Sequence, residues 1–253
     1  TINNPWARPI KVFVTRPALR FLPALGLCLL CACSPPTDLT LLTAAATDGS
    51  VEWTGPTVAA RDVAWGDIDA DGDLDLAIAV DGGANRVYRS DPGGPTLLWS
   101  STETDSSHAI AFGDADEDGD LDLATLADGA GPIRVYSNDG AGSFSLTWTG
   151  TVTNGQDLVW AEITGDGALD LVVARDGANT AFANNGAGTS WSTVWTGSLV
   201  RDSRSVAAGD LDGDGDVDLF FGNNGEVADS VWIGDGAGGF TNSGGLGTET
   251  DTH

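Results

Sequence analysis

Four short acidic segments contain the residues of this sequence that could do chemistry. They span residues 67–75, 114–122, 162–170 and 210–218. Three of them place an aspartate at positions one, three, five, seven and nine and a glycine at position six. Glycine permits a tight turn, and alternating carboxylates on such a turn supply the oxygen ligands that Ca²⁺ prefers. The pattern therefore indicates loops that bind a hard divalent cation.

The three complete segments contain fifteen candidate ligand residues. They are Asp67, Asp69, Asp71, Asp73 and Asp75, then Asp114, Asp116, Asp118, Asp120 and Asp122, then Asp210, Asp212, Asp214, Asp216 and Asp218. An EF-hand would place a glutamate at position twelve, but the sequence has Ile78, Thr125 or Phe221 there, which excludes that motif. Mg²⁺ fits less well, because it resists dehydration and is rarely held by protein groups alone.

The segment at 162–170 departs from this pattern. Its corresponding positions are Glu162, Thr164, Asp166, Ala168 and Asp170. Fewer carboxylates mean a weaker site, so we expect this loop to bind metal weakly or not at all. For all four segments the alternative is a solvated acidic turn without an ion. About three calcium sites are therefore predicted, with a fourth in doubt.

The loops recur at a nearly constant interval, which predicts the elements that position them. Their first residues are 67, 114, 162 and 210. A short apolar run precedes each loop, and three strand-like runs separated by turns follow it. Four antiparallel strands in about 48 residues match one blade of a β-propeller. We expect an all-β propeller with four full blades, a partial one and an incomplete ring. The predicted blades are residues 62–99, 109–148, 157–195 and 205–242, with a partial blade at 39–54.

The loop between two strands resembles the FG-GAP/VCBS repeats of integrin-α-type β-propellers, over residues 39–253. The resemblance implies side-chain ligands at positions one, three, five and nine, and a main-chain carbonyl ligand at Asp73, Asp120 or Asp216. It also implies a cell-surface or secreted protein used for binding or adhesion to a protein or glycan. A sugar-active enzyme of the polysaccharide lyase kind, with its catalytic part elsewhere, is one alternative. A rigid structural spacer is another.

The charge balance excludes some functions and leaves one question open. The chain has 37 acidic and 11 basic residues, and its net charge is −26. Such a surface does not bind nucleic acid or an anionic membrane through a basic patch. Six arginines lie at or near connections expected on the face opposite the loops: Arg61, Arg86, Arg134, Arg175, Arg201 and Arg204. They either bind an acidic group of a partner or pair with nearby carboxylates, and the excess of acid favours local pairing.

The histidines indicate no catalytic centre, and the N-terminal region indicates export. His108 and His253 have no serine or cysteine partner at a spacing typical of a triad. Residues 1–33 are typical of a signal peptide, with an apolar run too short to cross a membrane. The run ends at Cys33 in a sequence that resembles the lipobox of bacterial lipoproteins, which implies lipidation of Cys33 in the cell envelope. An ordinary signal peptide and an extracellular protein are the alternative.

Residues 34–38 are predicted to be a linker. The sequence begins at Thr1 and contains no methionine, and residues 248–253 repeat the pattern of residues 102–108, which precedes a first strand. We therefore expect a fragment at both ends.

Overall fold

The computed structural model describes residue 55 and residues 57–225 and 227–245, in which every regular element is a β-strand. The strands of the first two blades are β1 (Ala60–Gly66), β2 (Asp75–Val80), β3 (Arg86–Arg89), β4 (Thr96–Ser100), β5 (Ser107–Gly113), β6 (Asp122–Ala127), β7 (Pro132–Asn138) and β8 (Phe144–Thr151). The remaining strands are β9 (Gly155–Ala161), β10 (Asp170–Asn184), β11 (Trp191–Gly209), β12 (Asp218–Asn223), β13 (Ser230–Gly234) and β14 (Phe240–Gly244). The predicted all-β class is confirmed.

Two blades are separate four-stranded antiparallel sheets. Blade 1 has the strand order β1-β2-β3-β4 and blade 2 the order β5-β6-β7-β8. Strands β9 to β14 instead form one continuous six-stranded sheet. This differs from the expected four separate blades, because two strands are long and each contributes to more than one position.

Strand β10 folds back on itself to supply the second and third strands of blade 3. Its 15 residues would span nearly 50 Å if fully extended, at about 3.3 Å per residue. The main-chain N–H of Asn184 nevertheless donates to Asp170 Oδ1 at 2.8 Å, so the two ends of β10 lie together. The first half of β11 pairs with β10 and its second half pairs with β12. Strand β11 therefore ends blade 3 and begins blade 4 without an intervening loop.

The apolar core lies between the blades. All six residues of β2 are buried, and the same is true of β6. Leu76 and Ile78 lie in one cluster, whereas Ala77 and Ala79 lie in another with Phe112 of blade 2. The alternation of large and small residues along β2 therefore buries both faces of the strand. Each further interface, between blades 2 and 3 and between blades 3 and 4, has its own cluster.

Tryptophans in the fourth strands of blades 1, 2 and 3 join each of these blades to the next. The ring centroid of Trp99 lies 5.4 Å from that of Phe144. Trp148 lies 5.6 Å from Phe182, and Trp195 lies 5.2 Å from Phe240. Aromatic pairs at such distances contribute beyond their buried area. These tryptophans are therefore core residues of the blade interfaces.

The blades form an open arc within the described residues. Neighbouring inner strands contact each other in the order β1, β5, β9 and β11. No sheet of the described residues joins blade 4 to blade 1, which agrees with the predicted incomplete ring. Several predicted segments lie outside the described residues. They are the signal segment 1–33 with Cys33, the linker 34–38, the partial blade 39–54 and residues 248–253.

Candidate metal centres

Each acidic loop joins the first strand of a blade to its second. The first strands end at Gly66, Gly113, Ala161 and Gly209, and the second strands begin at loop position nine, which is Asp75, Asp122, Asp170 and Asp218. Position nine is therefore held by a strand, while positions one to eight form the loop itself. The sheet fixes both ends of every loop.

All four loops have the same backbone turn. The φ angle at position six is 96° at Gly72, Gly119 and Gly167, and 99° at Gly215. The residue at position four also has a left-handed backbone. In two loops this residue is not glycine, and its φ angle is 56° at Ala70 and 60° at Glu117. The left-handed region is unfavourable for a side chain with a Cβ atom. The turn at position six explains the glycine in all four copies.

The aspartate at position nine anchors the loop through both of its carboxylate oxygens. In the first loop the N–H of Ile68 donates to Asp75 Oδ2 at 3.0 Å, and the N–H of Ser90 donates to Oδ1 at 2.8 Å. The equivalent pairs of bonds hold Asp122, Asp170 and Asp218. These four carboxylates are buried. Each one fastens its loop to the following strand and to the turn after the third strand.

The carboxylates of three loops converge. In each group one oxygen from every member lies within 4.8 Å of the others. The groups are Asp67, Asp69 and Asp71; Asp114, Asp116 and Asp122; and Asp210, Asp212 and Asp218. These are the only groups of this kind among the described residues, and they belong to the three complete loops. The Glu162 loop forms no such group there.

Several converging oxygens are buried without a hydrogen-bond donor. They are Asp69 Oδ1, Asp114 Oδ1 and Asp116 Oδ1. A buried carboxylate oxygen without a partner is costly unless a cation or a donor compensates it. Buried carboxylate oxygens without a donor fit a divalent cation at the centre of the loop. It is strongest in the second loop, where two of the three atoms lie.

Burial changes the acidity of the second loop. Burial, with smaller contributions from the charges of Asp116 and Asp118, raises the pKa of Asp122 to about 7, although hydrogen bonds from Asn138 and Ala115 lower it. Burial also raises the pKa of Asp114 and Asp116, with a contribution from the charge of Asp118. The loop therefore concentrates negative charge at a place poorly solvated by water. Such a site attracts a cation that replaces the missing solvation.

The third loop satisfies its polar groups internally. The carboxylate of Glu162 accepts from the N–H of Thr164 at 3.0 Å and also from Gly165. The hydroxyl of Thr164 donates to Asp170 Oδ2 at 3.2 Å, where the complete loops have a carboxylate. Ala168 at position seven is 1% exposed. This loop keeps the shape of the others but closes with hydrogen bonds.

Not every predicted ligand joins a converging group. Asp75, Asp118 and Asp214 lie outside these groups. Asp118 and Asp214 at position five, like Asp71 within its group, each accept from the N–H two residues later, at 2.9 Å. The side chains of Asp73, Asp120 and Asp216, predicted to bind through their carbonyls, lie outside the groups. Asp120 and Asp216 instead lie against Gly140 and Gly236 of the turn between the third and fourth strands.

Sequence reasoning missed the asparagines that connect the loops. Asn138 Nδ2 donates to the carbonyl of Ile68 in the previous blade at 2.8 Å, and to Leu121 in its own blade at 3.2 Å. Asn184 makes the same two contacts with Ala115 and Leu169. The repeated Asn-Asx-Gly-Ala-Gly turn was the available signal, because it recurs in phase with the loops. These turns lock each acidic loop to the next blade.

The arginines pair within the chain, as the acidic excess favoured. Arg61 pairs with Asp81, Arg134 with Asp105 and Arg204 with Asp202. Arg175 and Arg201 donate to the main-chain carbonyls of Ala178 and Ala228. Arg86 donates to the hydroxyl of Tyr88 at 3.3 Å. The six arginines considered as an anion site therefore already have partners. Exposed pairs of this kind contribute little stability.

A family model described as FG-GAP-like repeat matches the chain three times, at residues 67–125, 118–173 and 163–221. The chain belongs to the FG-GAP-like repeat family. The matches overlap and begin at or inside the acidic loops. The repeat seen in the blades is thus the repeat of the family. A search of curated proteins found no match.

Solved structures of similar fold are distant in sequence. A protein from Lactobacillus plantarum has a TM-score of 0.57 and 19% identity, over 78% of this chain and 60% of its own. Sqt1 from Saccharomyces cerevisiae has a TM-score of 0.55 and 14% identity, over 72% and 46%. A lectin of Agrocybe aegerita that recognises terminal N-acetylglucosamine has a TM-score of 0.48 and 23% identity, over 70% and 49%. The chain therefore spans about half the length of the structures it resembles.

Proposed function

We propose that this FG-GAP-like β-propeller binds three calcium ions, one in each complete acidic loop. The single observation that carries the proposal is the convergence of three carboxylates in each of these loops. In the first two loops it is accompanied by buried carboxylate oxygens that have no donor. The ligands are the side chains at loop positions one, three, five and nine and the main-chain carbonyl at position seven. A hard cation neutralises the converging charge and replaces the absent hydrogen bonds.

Calcium suits these loops better than magnesium. Each loop offers up to five oxygens from one short segment, and Asp67, Asp69 and Asp71 each bring one carboxylate oxygen within 4.8 Å of the others. Ca²⁺ accepts six to eight oxygens in flexible geometry, whereas Mg²⁺ requires near-octahedral geometry and retains water. Water completes the calcium shell on the exposed side of the loop.

The role that we propose is binding or adhesion to a protein or glycan at the cell surface. Calcium stiffens the face of the blades that carries the loops, because the ligands of one site span the loop and the start of a strand. The asparagine turns transmit this order to the next blade, since Asn138 and Asn184 contact two blades each. A rigid propeller face presents a partner with preformed contacts, which lowers the entropic cost of binding.

We also propose that the protein is exported and anchored by lipid on Cys33. The proposal rests on the residues that precede Cys33 and on the family resemblance of the repeats to surface proteins. Among the described residues, no helix is long and apolar enough to cross a membrane. Mass spectrometry of the membrane fraction tests the anchor. Soluble protein whose first residue is not Cys33 would contradict it.

The calcium proposal is tested by titration calorimetry on apo protein, with native mass spectrometry to count the ions. We expect three calcium ions per chain, and two after Asp116→Asn. Asp166→Asn is the matched control in the third loop and should leave three. Binding to glycan and protein arrays in calcium and in chelator then tests the role. Zero bound ions would contradict the first proposal, and binding to no array would contradict the second.

A further inference from the structure

The turn between the third and fourth strands holds a carboxylate in blades 2 and 4. Asp139 Oδ1 accepts from the main-chain N–H groups two and four residues later, both at 3.0 Å. Asp235 Oδ1 accepts from the N–H groups at the same two intervals, at 2.9 and 2.8 Å. These main-chain bonds lower the pKa of both carboxyl groups, because they stabilise the charged form. The turn is therefore well suited to a negative charge at this position.

Blade 3 has a neutral amide in the same place. Asn185 Oδ1 accepts from the N–H groups of Ala187, Thr189 and Ser190, at 3.2–3.3 Å. The next residue is Gly186, and both aspartates of the other turns are also followed by glycine. Asn185 thus lies in a ring of N–H donors that holds a carboxylate in the neighbouring blades.

Asparagine is a thermolabile residue, and a following glycine makes it more so because no Cβ atom obstructs the reaction. The main-chain nitrogen of the glycine gives up its proton to solvent and attacks Cγ of the asparagine. The bond from Cγ to the amide nitrogen breaks, and ammonia leaves with a proton from solvent. Water then adds to Cγ of the cyclic imide, and the bond from Cγ to the main-chain nitrogen breaks. The peptide bond is restored, and amide and water have become carboxylate and ammonium.

The structure leaves this reaction open at Asn185. The side chain is exposed, and beyond the chain neighbours no atom lies within 4 Å of a Cβ atom built on Gly186. The N–H of Gly186 has no main-chain acceptor among the described residues, so the attacking nitrogen is not held elsewhere. Negative charge develops on Oδ1 when Cγ becomes tetrahedral. The three N–H groups around Oδ1 stabilise that charge, as donors in an oxyanion hole do.

The sequence has two further Asn-Gly pairs, and the structure hinders both. Gly155, which follows Asn154, is the first residue of β9, and its Cβ atom would lie 2.7 Å from the side chain of Leu126. Forming the ring there moves a packed strand. Asn224 Nδ2 donates to Asp202 Oδ2 at 2.9 Å. The nearby carboxylate disfavours the negative charge that develops on the reacting amide.

We propose that Asn185 is a modification site, at which the folded turn promotes hydrolysis of the side-chain amide to a carboxylate and ammonia. The product has the residue type of Asp139 and Asp235 and gains the charge that their turns stabilise. The change runs one way, because the ammonia is lost to solvent. It adds one negative charge to the face that carries the acidic loops, since Asn184 in the same turn donates to the carbonyl of Ala115 in the second loop.

The test compares the three Asn-Gly pairs in one sample. The full chain is incubated in calcium at mildly alkaline pH, with and without urea, and peptide mapping by mass spectrometry follows each asparagine. In the folded chain Asn185 should react at least about tenfold faster than Asn154 and Asn224, because only its amide oxygen has the ring of donors. In urea the three rates should be similar. Equal rates in the folded chain, or an Asn185 that stays intact, would overturn the proposal.

The same maps identify the product. Opening of the imide at Cγ gives aspartate, whereas opening at the main-chain carbonyl gives isoaspartate, which adds an atom to the main chain. The folded turn should favour aspartate relative to the sample in urea, because aspartate keeps the hydrogen bonds of the turn. Isoaspartate as the main product in the folded chain would overturn the proposed product.

Two variants test the turn itself. Asp139→Asn places an asparagine before glycine in the matching turn of blade 2, and it should react at a rate close to that of Asn185. Asp128→Asn is the matched control, because it also precedes a glycine but lies outside such a turn, where the N–H of Gly129 donates to the side chain of residue 128. It should react slowly. An Asp139→Asn chain that reacts no faster than the control would show that the turn does not promote the reaction.

A product variant tests whether the turn accepts the charge. Asn185→Asp should melt at the same temperature as the parent or slightly higher, since hydrogen bonds to a charged acceptor are stronger. Asn224→Asp is the control and should melt lower, because it replaces a donor to Asp202 by a like charge. A fall of more than about 2 °C in Asn185→Asp would contradict the proposed fit of the product. None of these outcomes depends on the number of calcium ions bound.

Discussion

The second and third acidic loops share a backbone and differ in chemistry. Position four has φ of 60° at Glu117 and 76° at Gly165, and position six has the same φ in both. Asp122 and Asp170 each accept two main-chain N–H groups in the same way. The second loop nevertheless has orphaned carboxylate oxygens, whereas Thr164 donates to Asp170 in the third.

This comparison teaches that the shape of the loop does not depend on the full set of carboxylates. The left-handed turns and the anchor at position nine are sufficient to form the loop, because the third loop has both and lacks the full set of carboxylates. The additional aspartates of the second loop therefore do not serve to fold it. They add buried negative charge, which is unfavourable until a cation binds.

Removing calcium should have the largest effect. A site occupied at a hundredfold excess over its dissociation constant adds about 2.7 kcal/mol to the folded state, so three sites together are substantial. Excess chelator should lower the melting temperature in calorimetry, and added calcium should restore it. Magnesium at the same concentration is the control and should restore less. A melting curve unchanged by chelator would break the comparison, since all loops would then behave like the third.

Asp170→Ala should be the most damaging single substitution in the third loop. It leaves the N–H groups of Ile163 and Asn184 and the hydroxyl of Thr164 without an acceptor. Each buried unpaired donor costs about 1–3 kcal/mol. Urea unfolding should show the loss, while the calcium count stays at three. Asp166→Ala is the control, because it removes only the bond from Ala168. Equal losses in both variants would mean that position nine is not the anchor.

Restoring carboxylates to the third loop should create a fourth calcium site. In Glu162→Asp/Thr164→Asp the turn is unchanged and the converging charge returns, so native mass spectrometry should count four ions. The gain in stability in saturating calcium should be at most about 2.7 kcal/mol at a hundredfold excess. Glu162→Asp/Thr164→Asn is the matched control, which places an uncharged amide oxygen where the tested variant has the second new carboxylate. A count of three in the double variant would show that a shared backbone is not sufficient for binding.

Ala70→Gly should have the smallest effect. It relieves a left-handed residue, which costs about 1–2 kcal/mol, but it adds freedom to the unfolded chain worth about 0.5–1 kcal/mol. The net stabilisation should be less than about 1 kcal/mol, with calcium binding unchanged. Ala141→Gly is the control, because Ala141 is exposed and has no left-handed strain, and it should destabilise slightly. Destabilisation by Ala70→Gly would mean that the angle at position four is not strained.

Local repetition allowed much of this molecule to be predicted. The strands, the antiparallel order within blades 1 and 2, and the loops before Asp75 and Asp122 follow from alternation and spacing over a few residues. Tight turns and strand faces depend on neighbours close in sequence, so one repeat contains the information for its own blade. The continuous β11 was not predicted, because the repeat interval placed a connection between residues 195 and 205, although Leu199 to Asp202 contain no glycine or proline to mark a break.

The sequence by itself determined the repeat, the strand faces and the positions of the acidic residues, since these depend on residue type and interval. Only the tertiary structure decided which carboxylates converge, because a distance between side chains depends on the turn and on burial. It also decided that Asn138 and Asn184 join neighbouring blades, and that Gly66 and Gly113 lie beneath aromatic rings. Those contacts bring together residues nearly 50 to 70 positions apart, a separation at which composition and spacing carry no information about distance.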